Sequence, residues 1–144
     1  MRQALLAAIG TAALALPASA ADRVVGDWVT KGGKGIVRVA PCPARPEAIC
    51  GTIVRLRQPT DAAGVPLKDI HNQDPTLRGR PIVGLPVLPG LAPAGDRVWS
   101  GHIYDPETGR TYASKIRLRS DEALAVEGCL SVLCRTEVWR RAAF

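Results

Sequence analysis

The sequence predicts an all-β fold, a small antiparallel barrel or sandwich of about seven to eight short strands. Three observations carry that expectation. Apolar residues recur at period two, turn signals separate the runs at short intervals, and no stretch shows the apolar stripe of an amphipathic helix. Short strands punctuated in this way are characteristic of closed barrels and sandwiches.

The strands follow in order. Residues 24–30 form the first, ended by Lys31-Gly32-Gly33-Lys34, where glycine admits positive φ. Residues 36–40 form the second. Residues 49–57 alternate, with Cys50, Thr52, Val54 and Leu56 on one face and Arg55 and Arg57 on the other. Residues 97–104 and 110–119 flank the hairpin turn Asp105-Pro106-Glu107-Thr108-Gly109. In the second of these, Tyr112, Ser114, Ile116 and Leu118 oppose Lys115, Arg117 and Arg119. Residues 124–128 and 134–141 complete seven strands, and an eighth is placed near Ile82 and Val83 or near Val87 and Leu88.

Residues 58–96 have a different texture. Seven of the twelve prolines fall there. Proline cannot donate to a ladder, so a long loop is expected instead of a central strand. Its leucines, isoleucines and valines give it enough apolar area to pack down, and loops of this length are usually functional or linkers. Asp74-Pro75 reads as the cap and first residue of one helical turn.

The amino terminus reads as an export signal. Met1 and Arg2 precede an apolar run from Leu5 to Leu16, Pro17 breaks it, and Ala18-Ser19-Ala20 offers a cleavage site. The run is shorter than the roughly 20 residues that span a bilayer, so the protein is not expected to be membrane-spanning. The organisation is then a signal peptide at residues 1–20 and a single β-barrel domain at residues 21–144. Its expected location is periplasmic or secreted.

Four cysteines remain after processing: Cys42, Cys50, Cys129 and Cys134. An even count in an oxidising compartment reads as two disulfides. Of three possible pairings, Cys42 with Cys50 and Cys129 with Cys134 is favoured, because each pair brackets a short turn-like stretch. Zinc is the weaker reading, since the spacings are not C-x-x-C and only two histidines exist. The formal charge of +6, or +5 once Arg2 is removed, suits an anionic envelope surface or simple solubility. Nucleic acid is not an expected partner, because the compartment and the absence of a basic recognition helix argue against it.

Gly26-Asp27-Trp28 at the start and Trp139-Arg140-Arg141 at the end suggest how a barrel closes. A guanidinium over an indole gains cation–π attraction and covers apolar surface. Alternation leaves open whether Arg140 or Arg141 would cover Trp28. With these ends, several motifs form one pattern. They are Cys50-Gly51-x-Ile53, then Asp69…Asn72…Leu77-Arg78-x-Arg80-Pro81…Gly84-Leu85, and Tyr104-Asp105-Pro106-x-x-Gly109-x-x-Tyr112. The pattern resembles the exported bacterial family called domain of unknown function 2147. The resemblance spans nearly the whole chain after the signal. It implies a lipocalin-like β-barrel outside the cytoplasm and no established activity.

The candidate ligand-binding residues are Arg78 and Arg80, with Asp69, Asn72, Tyr104 and Tyr112 from the same motifs. A guanidinium held among apolar residues can clamp a carboxylate or phosphate; the alternative is that it anchors the loop. Asp69, His71, Asn72 and Asp74 crowd possible cation ligands together, but such clusters more commonly build turns, and no metal or other cofactor is expected. His102 lies alone on a strand, no serine sits in a nucleophile elbow, and no phosphate loop precedes a helix. The expected function is therefore non-enzymatic: a binding protein holding a small apolar or amphipathic anionic molecule. The alternative is an envelope interaction module with a filled barrel, acting through its basic or loop surface.

Overall fold

The computed structural model describes residues 10–143. The expected export signal falls partly on residues 1–9, outside the described residues. Residues 10–19 carry no regular secondary structure and leave Leu14 and Leu16 exposed.

A one-turn helix, α1 (Ala20–Val24), comes first. Ser19 caps it and Asp22 reaches back, forming a capping box. Eight strands follow: β1 (Gly26–Val29), β2 (Gly35–Cys42), β3 (Arg45–Leu56), β4 (Pro86–Gly95), β5 (Val98–Asp105), β6 (Arg110–Ser120), β7 (Ala123–Leu130) and β8 (Leu133–Arg141). Each pairs antiparallel with the next, and β8 returns to β1, so the sheet closes into an eight-stranded barrel. Closure leaves no edge strand open for aggregation.

Strand alternation sorts the side chains. In β6, Ser114, Ile116 and Leu118 are buried, while Lys115, Arg117 and Arg119 are exposed. The up-and-down order puts the β1–β2, β3–β4, β5–β6 and β7–β8 connections at one end of the barrel. The other connections and α1 lie at the opposite end. That second end is filled by side chains, with Val24, Trp28, Leu88, Leu91, Ile116 and Leu124 nearly or wholly inaccessible. Packing there is close: a Cβ on Gly51 would lie 2.7 Å from Leu88.

Two sequence expectations need correction. The first strand starts at Gly26, because the capping box draws Val24 into α1. The proline-rich segment does contain a strand, β4, which includes Val87 and Leu88. The eighth strand therefore forms at the second of the two expected places and reaches further, whereas Ile82 and Val83 lie outside it. Its ladder with β3 is sparse and shifted by bulges, with Ile49 opposite Leu91, Gly51 opposite Leu88 and Thr52 opposite Pro86. Pro86, Pro89 and Pro93 sit exposed on this interrupted strand, where missing N–H donors are tolerated. The true loop is shorter, residues 57–85.

Closure at the filled end rests on Trp28 and Arg141. Trp28 is fully buried, and its indole N–H donates to the Val24 carbonyl at 2.9 Å. The Arg141 guanidinium lies 4.3 Å from the centre of the Trp28 ring. It also donates to the carbonyls of Arg23, Val25 and Asp121, tying α1 and the β6–β7 turn to the last strand. Gly26 makes this possible. Its φ is +143°, and a Cβ there would stand 2.5 Å from the guanidinium. Arg140 is exposed on the other face of β8.

Both disulfides form with the favoured pairing. Cys42–Cys50 ties β2 to β3, and Cys129–Cys134 joins directly opposed residues of β7 and β8.

Arg141→Ala should lower the free energy of unfolding by about 2–3 kcal/mol, since it removes several charge-assisted bonds together with the ring contact. Arg140→Ala should stay within about 0.5 kcal/mol of the parent, as for an ordinary surface change. Urea unfolding followed by tryptophan fluorescence measures both.

Candidate functional site

The open half of the barrel encloses a cavity of about 1140 Å³. Val37, Ile53, Ile82, Val87, Ile103 and Val126 supply an apolar wall, and Trp139 lies at its base. Gly128 also lines it, and the absence of a side chain there widens the space. The polar groups that line it include three from the strand walls of β6 and β8. Tyr112 comes from β6, while Arg135 and Glu137 come from β8, on the face that also carries Trp139. The Trp139 indole donates to Glu137 at 2.8 Å. Arg135 has no ion-pair partner among the described residues.

Two turns on opposite sides of the ring meet over the mouth. Lys34 in the β1–β2 connection pairs with Glu107 in the β5–β6 turn at 2.9 Å. Both line the cavity, so the ion pair bars the entrance.

The 57–85 loop completes the wall beside β5. β4 pairs with β5 only as far as Ser100, leaving the mouth-side half of β5 without a neighbour from β4. Asp69 docks the loop into that space. Its carboxylate is fully buried and accepts from the Tyr104 hydroxyl at 2.6 Å, Asn72 Nδ2 at 2.8 Å and Arg80 Nε at 3.1 Å. Burial is the largest single influence and raises its pKa. The bonds from Tyr104, Asn72 and Arg80, with the Arg80 charge, outweigh it and hold Asp69 below the ordinary value of 3.8. Tyr104 moves the other way. Burial, then the bond to Asp69, pushes its hydroxyl up to about 12.

The β5–β6 turn packs on the same segment. Gly109 has φ +69°, and a Cβ there would overlap the His71 carbonyl oxygen at 1.8 Å. The tyrosine, asparagine, aspartate and glycine positions quoted from the sequence are therefore one docking interface between loop and hairpin.

The candidate residues thus divide. Tyr104 and Tyr112 line the cavity, and the Tyr112 hydroxyl lies 3.3 Å from that of Thr108. Arg78 donates to the Asn72 carbonyl at 2.7 Å, and Arg80 pairs with Asp69. Neither arginine lines the cavity; both bond within the loop. Asn72 accepts from the backbone of Asp74, and Asp74 caps the 3-10 turn Pro75–Leu77, as its sequence suggests. Loop residues Leu67, Lys68, Ile70, His71 and Ile82 are the ones that reach the cavity. Glu127, Cys129 and Cys134 bring ligand-type atoms within 4.8 Å of one another, but the two cysteines are bonded together and offer no thiolate. Sequence reading missed Arg135 and Glu137. The available signal was period two in β8, which puts both on the Trp139–Arg141 face.

Fold and cavity define a lipocalin-like barrel, an eight-stranded closed sheet with one filled and one open end. The chain belongs to the family described as uncharacterized protein conserved in bacteria, domain of unknown function 2147, which it matches over residues 26–141. Among solved structures it is similar to the protein HP1028 of the human pathogen Helicobacter pylori, which is described as belonging to the lipocalin family. The TM-score is 0.70 at 20% identity, over 83% of each chain, a likeness of fold alone. No curated protein matches the sequence significantly.

The Asp69–Tyr104 bond should show in alkali. A group whose pKa is raised on folding, here from 10.0 to about 12, contributes stability below its unfolded pKa that is lost as pH climbs through that window. Wild-type stability should fall between pH 10 and 12. Tyr104→Phe should be weaker by about 1–2 kcal/mol at neutral pH and lack that part of the slope. Denaturant unfolding at stepped pH measures both.

Proposed function

We propose that this chain is an exported, non-enzymatic binding protein that holds one small amphipathic anionic molecule inside its barrel. The observation that carries the reading is the half-open interior, a mainly apolar cavity of about 1140 Å³ lined also by Arg135, whose guanidinium has no ion-pair partner among the described residues. That volume lies at or just above the range of small-molecule sites, and barrels of eight strands hold one ligand when their interior is not filled. The apolar part of the ligand lies against Val37, Ile53 and Val126. Its anionic head sits near Arg135, with Lys68 at the rim. Glu137, fixed by the Trp139 indole, offers an acceptor to a hydroxyl or amide on the ligand body. The mainly apolar wall and the lipocalin-like architecture support binding over catalysis. The signal-like amino terminus and two disulfides support an oxidising, extracytoplasmic location, with processing after Ala20.

A dansyl-labelled fatty acid tests the reading, with energy transfer from Trp139 as the readout. One probe should bind per chain. Gly128→Leu should fill the cavity, because a Cβ at that position meets nothing closer than 3.7 Å, and weaken binding by about tenfold or more without lowering the melting temperature. Arg135→Gln should weaken the acid by about tenfold and leave its methyl ester unchanged. Equal binding of acid and ester by the wild type would refute the anionic head, and no binding of either would refute the cavity reading.

A further inference from the structure

The β7–β8 connection breaks two rules of soluble hairpins at once. Leu130 and Leu133 pair across its base, so Ser131 and Val132 form a two-residue turn. Such turns favour asparagine, aspartate and glycine, which tolerate positive φ. Here Ser131 takes φ +57° and is followed by valine. The tip is also apolar and bare: Val132 is 89% exposed, Leu133 76% and Leu130 48%. Across the mouth, Ile70 of the loop is 62% exposed. A sequence that departs from turn chemistry and surface polarity at one place marks a contact site.

We propose that the barrel mouth docks on an anionic phospholipid surface, with the Leu130–Leu133 tip inserted between the lipids. Three features select a bilayer. First, the tip is held in shape: Cys129–Cys134 lies directly behind it, with Cα atoms 4.0 Å apart, so insertion orders little that is not already ordered. Second, cations surround the apolar tip. Arg135 follows it in β8, Lys31 stands in the turn that packs on β8, and Lys68 lies on the facing loop. None has an ion-pair partner among the described residues; Lys31 is available to lipid phosphates whatever the cavity holds, and Arg135 and Lys68 are available while it is empty. Third, apolar surface is continuous from tip to interior, because Leu130, Leu133 and Ile70 are exposed and also line the cavity. An amphipathic molecule leaving the lipid reaches the barrel without crossing open water. The contact depends on the mouth surface, not on which molecule the cavity holds.

The test is co-sedimentation with vesicles of phosphatidylglycerol and phosphatidylethanolamine, against pure phosphatidylcholine vesicles. Wild-type protein should bind the anionic vesicles, and less so as salt is raised. The variant Val132→Ser, at a tip residue that does not line the cavity, should bind about tenfold more weakly while keeping its melting temperature and its affinity for the dansyl probe. Every variant carries the same amino-terminal segment, so the difference isolates the tip. Val132→Trp adds a direct readout. Trp28, Trp99 and Trp139 are already buried, so a blue shift on vesicle addition reports insertion at position 132. Failure of the wild type to bind anionic vesicles would overturn the proposal, and so would equal binding by the serine variant. Self-association abolished by the serine variant, with no vesicle binding, would assign the tip to a second copy of the chain and overturn it as well. Probe affinity is read separately, so loss of the cavity reading and loss of the docking reading are distinguishable.

Discussion

One buried carboxylate decides whether this barrel has a mouth of fixed shape. β4 runs out of partners on β5 halfway up the wall, and a 57–85 loop must stand in for the missing ladder. Asp69 holds it there. A carboxylate removed from water is costly unless its oxygens are satisfied, and those of Asp69 accept from a phenol, an amide and a guanidinium. The guanidinium and amide come from the loop itself, whereas the phenol comes from β5. The network therefore folds the loop and fixes its position in the same contact. Cavity volume and the placement of Ile82, Ile70 and His71 follow from it.

The two ends of the barrel use arginine in opposite ways. At the filled end, Arg141 is consumed by carbonyls and an indole ring, and even the neighbouring glycine is shaped around it. At the open end, Arg135 is on the same face of the same strand but, among the described residues, meets no carboxylate within ion-pairing distance. Alternation alone places both. What separates them is depth, because only the lower one lies among the backbone carbonyls of α1 and the β6–β7 turn.

Much of this was legible in the sequence, and the failures have physical causes. Period-two patterning located strands such as β6, which has one wet and one dry face, whereas β7, with four consecutive buried residues, was marked by the turns that flank it. The cysteine pairs were legible because each brackets a hairpin. Gly26 and Trp28 pointed to closure, although only three-dimensional register could choose Arg141 over Arg140. β4 was obscured because proline argues against a central strand, and nothing local reveals that bulges will interrupt its ladder. Arg78 and Arg80 stood out by their apolar surroundings, and both make the loop-anchoring bonds that the sequence offered as one of their two roles, to Asn72 and Asp69 six and eleven residues away. Arg135 is marked in the sequence only by its period-two spacing from Glu137 and Trp139, which other strand charges share with their own neighbours.

The bar formed by Lys34 and Glu107 has a consequence for what can enter. It runs between turns on opposite sides of the ring, so it divides one wide opening into two narrower ones. An ion pair so exposed to water contributes little stability, and thermal motion breaks and remakes it continually. Under the proposed binding reading it would act as a sieve, not a lock. A flexible chain can thread either opening end-on while the bar stays closed. A rigid, broad molecule of the same volume must wait until the bar is open. If the barrel holds a ligand as proposed, cross-section at the rim would govern the rate of entry before the interior selects by chemistry.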